Sequence, residues 1–90
     1  MRTIKRTSAF KTDYKREERS DADLDEKLVP VLNLLATDRE LPVRLRDHAL
    51  TGQLRGFRDC HIKPDLVLIY SKPEGHLKLV RLGSHTELFQ

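Results

Sequence analysis

The chain has 90 residues, which is the length of one small domain. Its residues are 38% hydrophobic and 34% charged, and its single cysteine, Cys60, cannot form an internal disulfide. No apolar run approaches the roughly 18 residues that a membrane-spanning helix needs, and no apolar segment of a secretion signal follows the first charges. We therefore expect one soluble domain over residues 1–90, in the cytoplasm, with no membrane partner.

The net positive charge lies in the second half of the chain. Residues 1–40 contain nine basic and nine acidic residues, whereas residues 41–90 contain eight basic and five acidic ones. All four histidines lie in the second half as well, at positions 48, 61, 76 and 85. A basic surface attracts nucleic-acid phosphates, and imidazoles can move protons near neutral pH. Charge alone would fit any soluble basic protein, but the histidines favour a nucleic-acid site that performs chemistry.

The first half of the chain predicts a strand and two helices. Residues 3–7 have the pattern of a short strand, and Ser8 is a candidate N-cap for a helix that ends at Arg19. Leucines at helical spacing predict a second helix over residues 21–35. Pro30 is the exception in this pattern, because proline either kinks a helix or requires it to begin later.

The second half predicts three strands joined by hairpins. Residues 36–55 carry turn signals and two loops, after which residues 56–62 have a strand pattern. Residues 66–70 form a continuous apolar run, as expected for a central strand, and residues 76–83 form the last strand. The predicted order is β-α-α-β-β-β, an α+β fold with two N-terminal helices packed on an antiparallel sheet.

Hairpin geometry predicts which side chains lie together. A turn at residues 63–64 would place His61 opposite Leu66, and a turn at residues 72–75 would place Leu66 opposite Arg81. Asp65 would lie beside this row, with His85 at the same end of the sheet and His76 at the opposite end. An error of one residue in this register would move these side chains to the other face of the sheet but would leave them at the same end.

A cluster of His, Asp and Arg suits the cleavage of RNA by its own 2′-hydroxyl. This reaction needs a base for the 2′-hydroxyl proton, an acid for the departing 5′-oxygen and a cation for the phosphoryl oxygens. Histidine can act as acid or base, and the guanidinium of arginine binds phosphate oxygens in a bidentate manner. No cofactor or metal is expected, because the spacing of the histidines and Cys60 matches no usual zinc pattern. The simpler alternatives are structural histidines and plain surface ion pairs, Arg58–Asp59 and Arg81–Asp65.

Three segments in order resemble the motif blocks of the YafQ-type toxins, which belong to the RelE/ParE toxin superfamily. They are DHALTG (residues 47–52), GFRDCHIKPDLVLIY (56–70) and RLGSHTELF (81–89). The resemblance implies a RelE/ParE-type α+β fold and an endoribonuclease, or mRNA interferase, that cleaves mRNA in the ribosomal A site. It also implies control by a cognate antitoxin, and the basic second half predicts an acidic antitoxin segment over the site.

The resemblance also carries roles to particular positions. It implies His85 as general acid and Arg81 as the group that stabilises phosphoryl charge, with base and orienting duties left open among three further residues, His48, His61 and Asp65. Substrate contacts are expected from Phe89, Leu66 and Lys63. Leu66 stands where the family often has Trp, so a stacking surface is lost and cleavage preference can differ.

Two alternative functions share some of these features. A ParE-like toxin has the same fold but acts on gyrase and needs no acid and base. A non-enzymatic RNA-binding module would use Lys and Arg for phosphate contacts alone. Both alternatives predict that the histidines are dispensable, whereas the nuclease interpretation does not.

Overall fold

The computed structural model describes residues 1–89, which form three helices and a five-stranded sheet. Short 3-10 turns lie at Val43–Leu45 and Gly52–Leu54. No helix in this part of the chain combines the length and apolar character that a membrane crossing requires. The helices and strands, in chain order, are β1 (Thr3–Arg6), α1 (Ser8–Ser20), α2 (Leu24–Ala36), β2 (His48–Ala49), β3 (Arg58–Lys63), β4 (Leu66–Ser71), β5 (His76–Gly83) and α3 (His85–Phe89).

The N-cap of helix α1 lies one residue before the predicted one. The N-cap is Thr7, whose hydroxyl oxygen accepts a hydrogen bond from the Phe10 amide at 2.9 Å, and Ser8 is the first helical residue. The Thr7 hydroxyl also donates to the Val80 carbonyl at 2.7 Å. The start of α1 is thereby joined to β5.

Helix α2 runs through Pro30, neither beginning after it nor ending before it. Proline has no amide hydrogen, so it cannot make the helical bond to the Glu26 carbonyl. Pro30 is exposed, and water can serve that carbonyl instead. The buried face of α2 presents Leu24, Leu28, Val31 and Leu35 to the sheet, as the leucine spacing predicts.

The sheet has the order β1-β5-β4-β3-β2. Strands β2 to β5 pair antiparallel, and β4 is the central strand, buried along its length except at its last residue, Ser71. The expectation of a purely antiparallel sheet needs one correction, because β1 pairs in parallel with β5. This pairing joins strands more than 70 residues apart, and local sequence patterns carry no information about such a contact. The α+β fold class is confirmed, with a mixed sheet.

Alternation along β4 separates the two faces of the sheet. Leu66, Leu68 and Tyr70 belong to the hydrophobic core, which α1 and α2 cover. Val67 and Ile69 are also buried, but alternation directs them to the opposite face. That opposite face carries most of the predicted site residues.

Candidate active site

The strand register brings polar side chains onto the face opposite the core. His48 pairs with Asp59, Asp59 with Ile69, and Ile69 with Arg81, so these four residues form a row across β2 to β5. Directly paired residues point to the same side of a sheet, and His61 joins them two positions after Asp59. The row places three polar residues from different strands around one buried apolar residue.

This register corrects the predicted row of His61, Leu66 and Arg81. A bulge at the end of β3 pairs His61 with Val67 and Lys63 with Leu66. A second irregularity near Ile69 and Tyr70 shifts β5, so Arg81 faces Ile69. Bulges insert unpaired residues that hairpin length alone does not reveal. The predicted end of the sheet is nevertheless right, since His76 begins β5 at the far end.

The side chains of Asp47 and His48 lie on opposite faces of the sheet. The Asp47 carboxylate accepts hydrogen bonds from the Tyr70 hydroxyl and from Arg58 Nε. Tyr70 is a core residue, and burial together with this carboxylate raises the pKa of its phenol. Because the Asp47 side chain is bound on the core side of the sheet, the next side chain, His48, lies on the opposite face, which carries the site.

The His48 imidazole is held in one tautomer. Its Nδ1 lies 2.8 Å from the carbonyl oxygen of Arg46, and a carbonyl can only accept a hydrogen bond. Nδ1 must therefore carry the proton, which leaves Nε2 unprotonated in the neutral ring. Arg46 itself has left-handed backbone dihedral angles, φ 52° and ψ 41°, an uncommon conformation for a residue with a side chain. This backbone turn directs the carbonyl toward His48.

Asp59 is a buried carboxylate beneath the histidines, and sequence reasoning gave it only a surface ion pair with Arg58. It is 1% exposed, and its Oδ1 lies 3.1 Å from His48 Nδ1. The Nδ1 proton is directed to Arg46, so Oδ1 has no hydrogen-bond partner among the described residues. Burial raises the pKa of Asp59, and the nearby imidazoles of His48, His61 and His85 act to lower it. Asp59 therefore lies within electrostatic range of all three.

Arg81 is oriented by Asp13 of α1, a residue that the sequence patterns did not single out. Arg81 donates from Nε and Nη2 to the two Asp13 carboxylate oxygens at 2.7 and 3.2 Å. Asp13 also accepts from the Leu82 amide at 3.0 Å and from Arg16 at 3.0 Å. In this way α1 covers the edge of β5 beyond the end of β1. Arg81 Nη1 makes no hydrogen bond with the residues that the structure describes, so it can bind a phosphate.

We predict that Asp13→Ala lowers the free energy of unfolding by about 1–3 kcal/mol, since it leaves the Leu82 amide unpaired. Burial raises the pKa of Asp13, but its hydrogen bonds from Arg81, Leu82 and Arg16 outweigh burial, so the pKa lies below its ordinary 3.8. A lowered carboxyl pKa stabilises the folded state above pH 3.8, and this contribution disappears as the pH falls through the folded-state value.

The measurement for Asp13 is urea unfolding of wild type and variant at several pH values. The stability difference should be largest near neutral pH and should narrow below about pH 4. Glu18→Ala, an exposed acid on the same helix, is the control and should change stability by less than about 0.5 kcal/mol. An equal loss from both variants would contradict the role of Asp13.

A short helix that was not predicted, α3, presents His85. Its start is a capping box, in which the Glu87 amide donates to Ser84 Oγ at 3.1 Å and the Ser84 amide donates to Glu87 Oε1 at 2.8 Å. Gly83 lets α3 lie close to β5, since a Cβ there would be 3.2 Å from Leu88 Cδ2. The His85 ring contacts the ring of Phe89 one turn later, with centroids 4.6 Å apart. His85 is exposed and Phe89 is half-buried.

The remaining predicted residues differ in their access to this face. Leu66 is 1% exposed and belongs to the core, so the expectation that it contacts substrate is wrong. Lys63 Nζ lies 2.9 Å from Asp21 Oδ2, and this contact, together with Lys27 and the Asp23 amide, lowers the pKa of Asp21 to about 2. Asp65 is exposed in the turn after β3, at the same end of the sheet as His85.

The arrangement supplies each group that phosphodiester cleavage requires. His48 offers an unprotonated nitrogen, His85 is an exposed imidazole near the same carboxylate, and Arg81 is an oriented guanidinium. These groups come from β2, β5 and α3, which the sheet brings together. Among the described residues, no group of three or more His, Cys, Asp or Glu side chains is placed to hold a metal ion.

Solved toxin structures define the class of this fold as a RelE-like α+β toxin domain. The metal-bound toxin from Helicobacter pylori superposes with a TM-score of 0.91 at 45% identity, covering 99% of this chain and 100% of that one. The DinJ–YafQ complex from Escherichia coli matches with a TM-score of 0.89 at 33% identity, covering all of both chains.

Sequence comparison gives the family. The profile of the YafQ family, bacterial toxins of type II toxin–antitoxin systems, matches residues 2–90. The mRNA interferase toxin YafQ of Escherichia coli strain K12 is 33% identical over 90 residues, covering 99% of this chain and 97% of that protein. The chain belongs to the YafQ family. The resemblance that its three motif blocks indicate is confirmed.

Proposed function

We propose that this chain is the toxin of a type II toxin–antitoxin system, an endoribonuclease that cleaves mRNA on the ribosome in the cytoplasm. Its curated relatives in the family are named mRNA interferases, which are endoribonucleases. The observation that carries the proposal is the convergence of His48, His61 and His85 around Asp59, in the same row as Arg81. Neither a gyrase poison nor a passive RNA-binding module requires this arrangement.

His48 acts as the general base in this proposal. Its Nδ1 proton is committed to the Arg46 carbonyl, so Nε2 can accept the proton of the RNA 2′-hydroxyl. The buried negative charge of Asp59 then stabilises the imidazolium that forms 3.1 Å away. Asp59 is thus a positioning and electrostatic residue. His61 and Asp65 share the remaining orienting duties near the 2′-hydroxyl.

His85 acts as the general acid. The 2′-oxygen forms a bond to phosphorus, the bond from phosphorus to the 5′-oxygen breaks, and His85 donates a proton to that departing oxygen. The products are a 2′,3′-cyclic phosphate and a 5′-hydroxyl, so atoms and charge balance without a metal ion. Phe89 packs against the His85 ring, which restricts the ring's position, and its outer face can contact a base.

Arg81 stabilises the charge that develops on the phosphoryl oxygens. Its Nε and Nη2 are bound to Asp13, so the guanidinium is oriented before substrate arrives. Such preorganised donors stabilise a transition state without reorganisation during the reaction. Lys63, at the end of β3, is a further candidate for contact with RNA.

The partners of this activity are mRNA, ribosomal RNA and an antitoxin. The Escherichia coli relative has been solved in complex with DinJ, and we propose that a cognate antitoxin binds this chain as well. The basic residues of the second half favour an acidic antitoxin segment at the site. The same charge favours association with the ribosome, whose surface is rich in phosphate.

The test compares one mRNA in two states, translated and untranslated, after addition of the chain to a purified translation system. We expect cleavage only when the start codon is intact, and we expect the upstream products to end in 2′,3′-cyclic phosphate. The control is the same transcript with its start codon replaced. Equal cleavage of both transcripts would remove ribosome dependence, and 3′-hydroxyl ends would contradict the 2′-hydroxyl mechanism.

A further inference from the structure

A basic cavity adjoins the active site on the side of His61. It has a volume of about 380 Å³ and lies between the turn Val43–Leu45 and the end of β3. Three cationic residues line it (Arg44, Arg46 and Lys63), and none of the described residues that line it is acidic. None of the roles proposed above for the reacting phosphate uses Arg44 or the Arg46 side chain.

The cations of this cavity differ in their availability. Lys63 is paired with Asp21 at 2.9 Å, so part of its charge is neutralised. Arg44 and Arg46 are exposed, and neither forms an ion pair with a residue that the structure describes. Two guanidinium groups therefore remain for an anionic ligand.

The floor of the cavity is apolar. Leu45 and Ile62 contribute to it and are 9% and 8% exposed, respectively. An apolar floor beneath guanidinium groups suits a nucleotide, which combines a flat base with a phosphate, better than it suits a simple anion.

Arg46 connects the cavity to the catalytic face. Arg46 lines the cavity, while its carbonyl accepts the His48 Nδ1 proton. His61 likewise lines the cavity and belongs to the face that carries Asp59. A chain of RNA that crosses the active site would therefore continue into the cavity without leaving the protein surface.

We propose that this cavity is a second nucleotide subsite, which binds the phosphate next to the scissile one through Arg44 and Arg46 and its base over Leu45 and Ile62. The proposal rests on the proposed nuclease function. The ligand chemistry is an RNA phosphodiester, and we assign it to the substrate strand because His61 is shared. Ribosomal RNA has the same chemistry. The test below therefore distinguishes binding of ribosomal RNA from binding of the substrate strand.

The test measures binding of two non-cleavable RNAs in the absence of ribosomes. These are the 2′-O-methyl dinucleotide ApA, with one phosphodiester, and the trinucleotide ApApA, with two. Wild type should bind the trinucleotide roughly tenfold or more tightly. Salt should weaken binding of the trinucleotide more than binding of the dinucleotide. In plots of log affinity against log salt concentration, the two slopes should differ by about 0.7, the value for one further phosphate contact.

The variants are Arg44→Gln and Arg46→Asn, since asparagine tolerates the left-handed backbone at position 46. Each should reduce the advantage of the trinucleotide, and the double variant should abolish it. Arg44→Gln alone, which leaves the Arg46 contact with His48 untouched, should not change dinucleotide binding. Arg39→Gln removes an exposed charge from the opposite end of the sheet and should preserve the advantage. Backbone amide NMR spectra of each variant verify that the fold is retained.

Two results would overturn the subsite. One is an undiminished trinucleotide advantage in the double variant. The other is loss of ribosome co-sedimentation in that variant with normal oligonucleotide binding, which would assign the two arginines to ribosomal RNA. Either result can occur while wild type still cleaves translated mRNA, so failure of the subsite is distinct from failure of the proposed nuclease function.

Discussion

Replacing His48 by alanine is expected to slow mRNA cleavage by about 10²–10⁴-fold, the usual contribution of a general base. His48 Nε2 is the nitrogen that the Arg46 carbonyl leaves unprotonated, and alanine provides no group to accept the 2′-hydroxyl proton. The side chain is 57% exposed, so its removal should have little effect on stability. The measurement is the single-turnover rate of cleavage on ribosomes preloaded with mRNA, at saturating toxin.

His76 offers a matched control for this substitution. Its Nδ1 lies 2.8 Å from the carbonyl of Glu74, two residues earlier, which is the same local contact that His48 makes with Arg46. His76 lies at the start of β5, at the far end of the sheet. His76→Ala should therefore cleave at the wild-type rate. A wild-type cleavage rate for His48→Ala would exclude His48 as the base, and a comparable loss of rate in both variants would point to a structural cause.

The second large effect concerns Asp59→Asn, for which we expect activity and stability to change in opposite directions. The amide cannot stabilise a neighbouring imidazolium, so the cleavage rate should fall by about 10²-fold. The folded state, by contrast, should be as stable as wild type or more so at neutral pH. The reason is that Asp59 Oδ1 is buried without a hydrogen-bond partner among the described residues, and a neutral amide costs less to bury than a charge.

The pH dependence of this stability change has a definite sign. Burial raises the pKa of Asp59, so the folded chain binds the proton more tightly than the unfolded chain. The charged carboxylate therefore reduces stability above the folded-state pKa, and this penalty disappears as the pH falls below it. Any gain from Asp59→Asn should appear near neutral pH and vanish in acid.

Thermal unfolding and single-turnover cleavage should be measured on the same preparation of Asp59→Asn. Asp13→Asn is the contrasting variant, because Asp13 is buried with four hydrogen bonds from its neighbours and should lose stability. A fall in stability for Asp59→Asn as large as that for Asp13→Asn would show a structural role for Asp59. Unchanged cleavage would remove it from the mechanism.

The sequence was sufficient for the order of the main elements and for the choice of sheet end. The leucine spacing of α2 and the apolar run of β4 are local patterns that report directly on burial. The parallel pairing of β1 with β5 was not accessible, because it depends on a long-range contact. The exact pairing of Arg81 was missed for a different reason, since two strand irregularities displaced the register.

Two site features that were not predicted do have a signal in the sequence. Ser84 and Glu87 have the spacing of a capping box, which would have predicted α3 and the position of His85. Asp59 and His61 alternate on one strand, which would have placed the carboxylate beside the imidazole. Asp13 is different, because an acid in a charged helix gives no sign that it binds Arg81.

Cys60 lies between Asp59 and His61 but points into the core, where it is completely buried. Burial raises the pKa of its thiol to about 12, so the sulfur is protonated and shielded at physiological pH. Peroxide and alkylating agents attack the exposed thiolate form of cysteine. A cell under oxidative stress would therefore leave this thiol intact, and its sulfur would react only after the strands have separated.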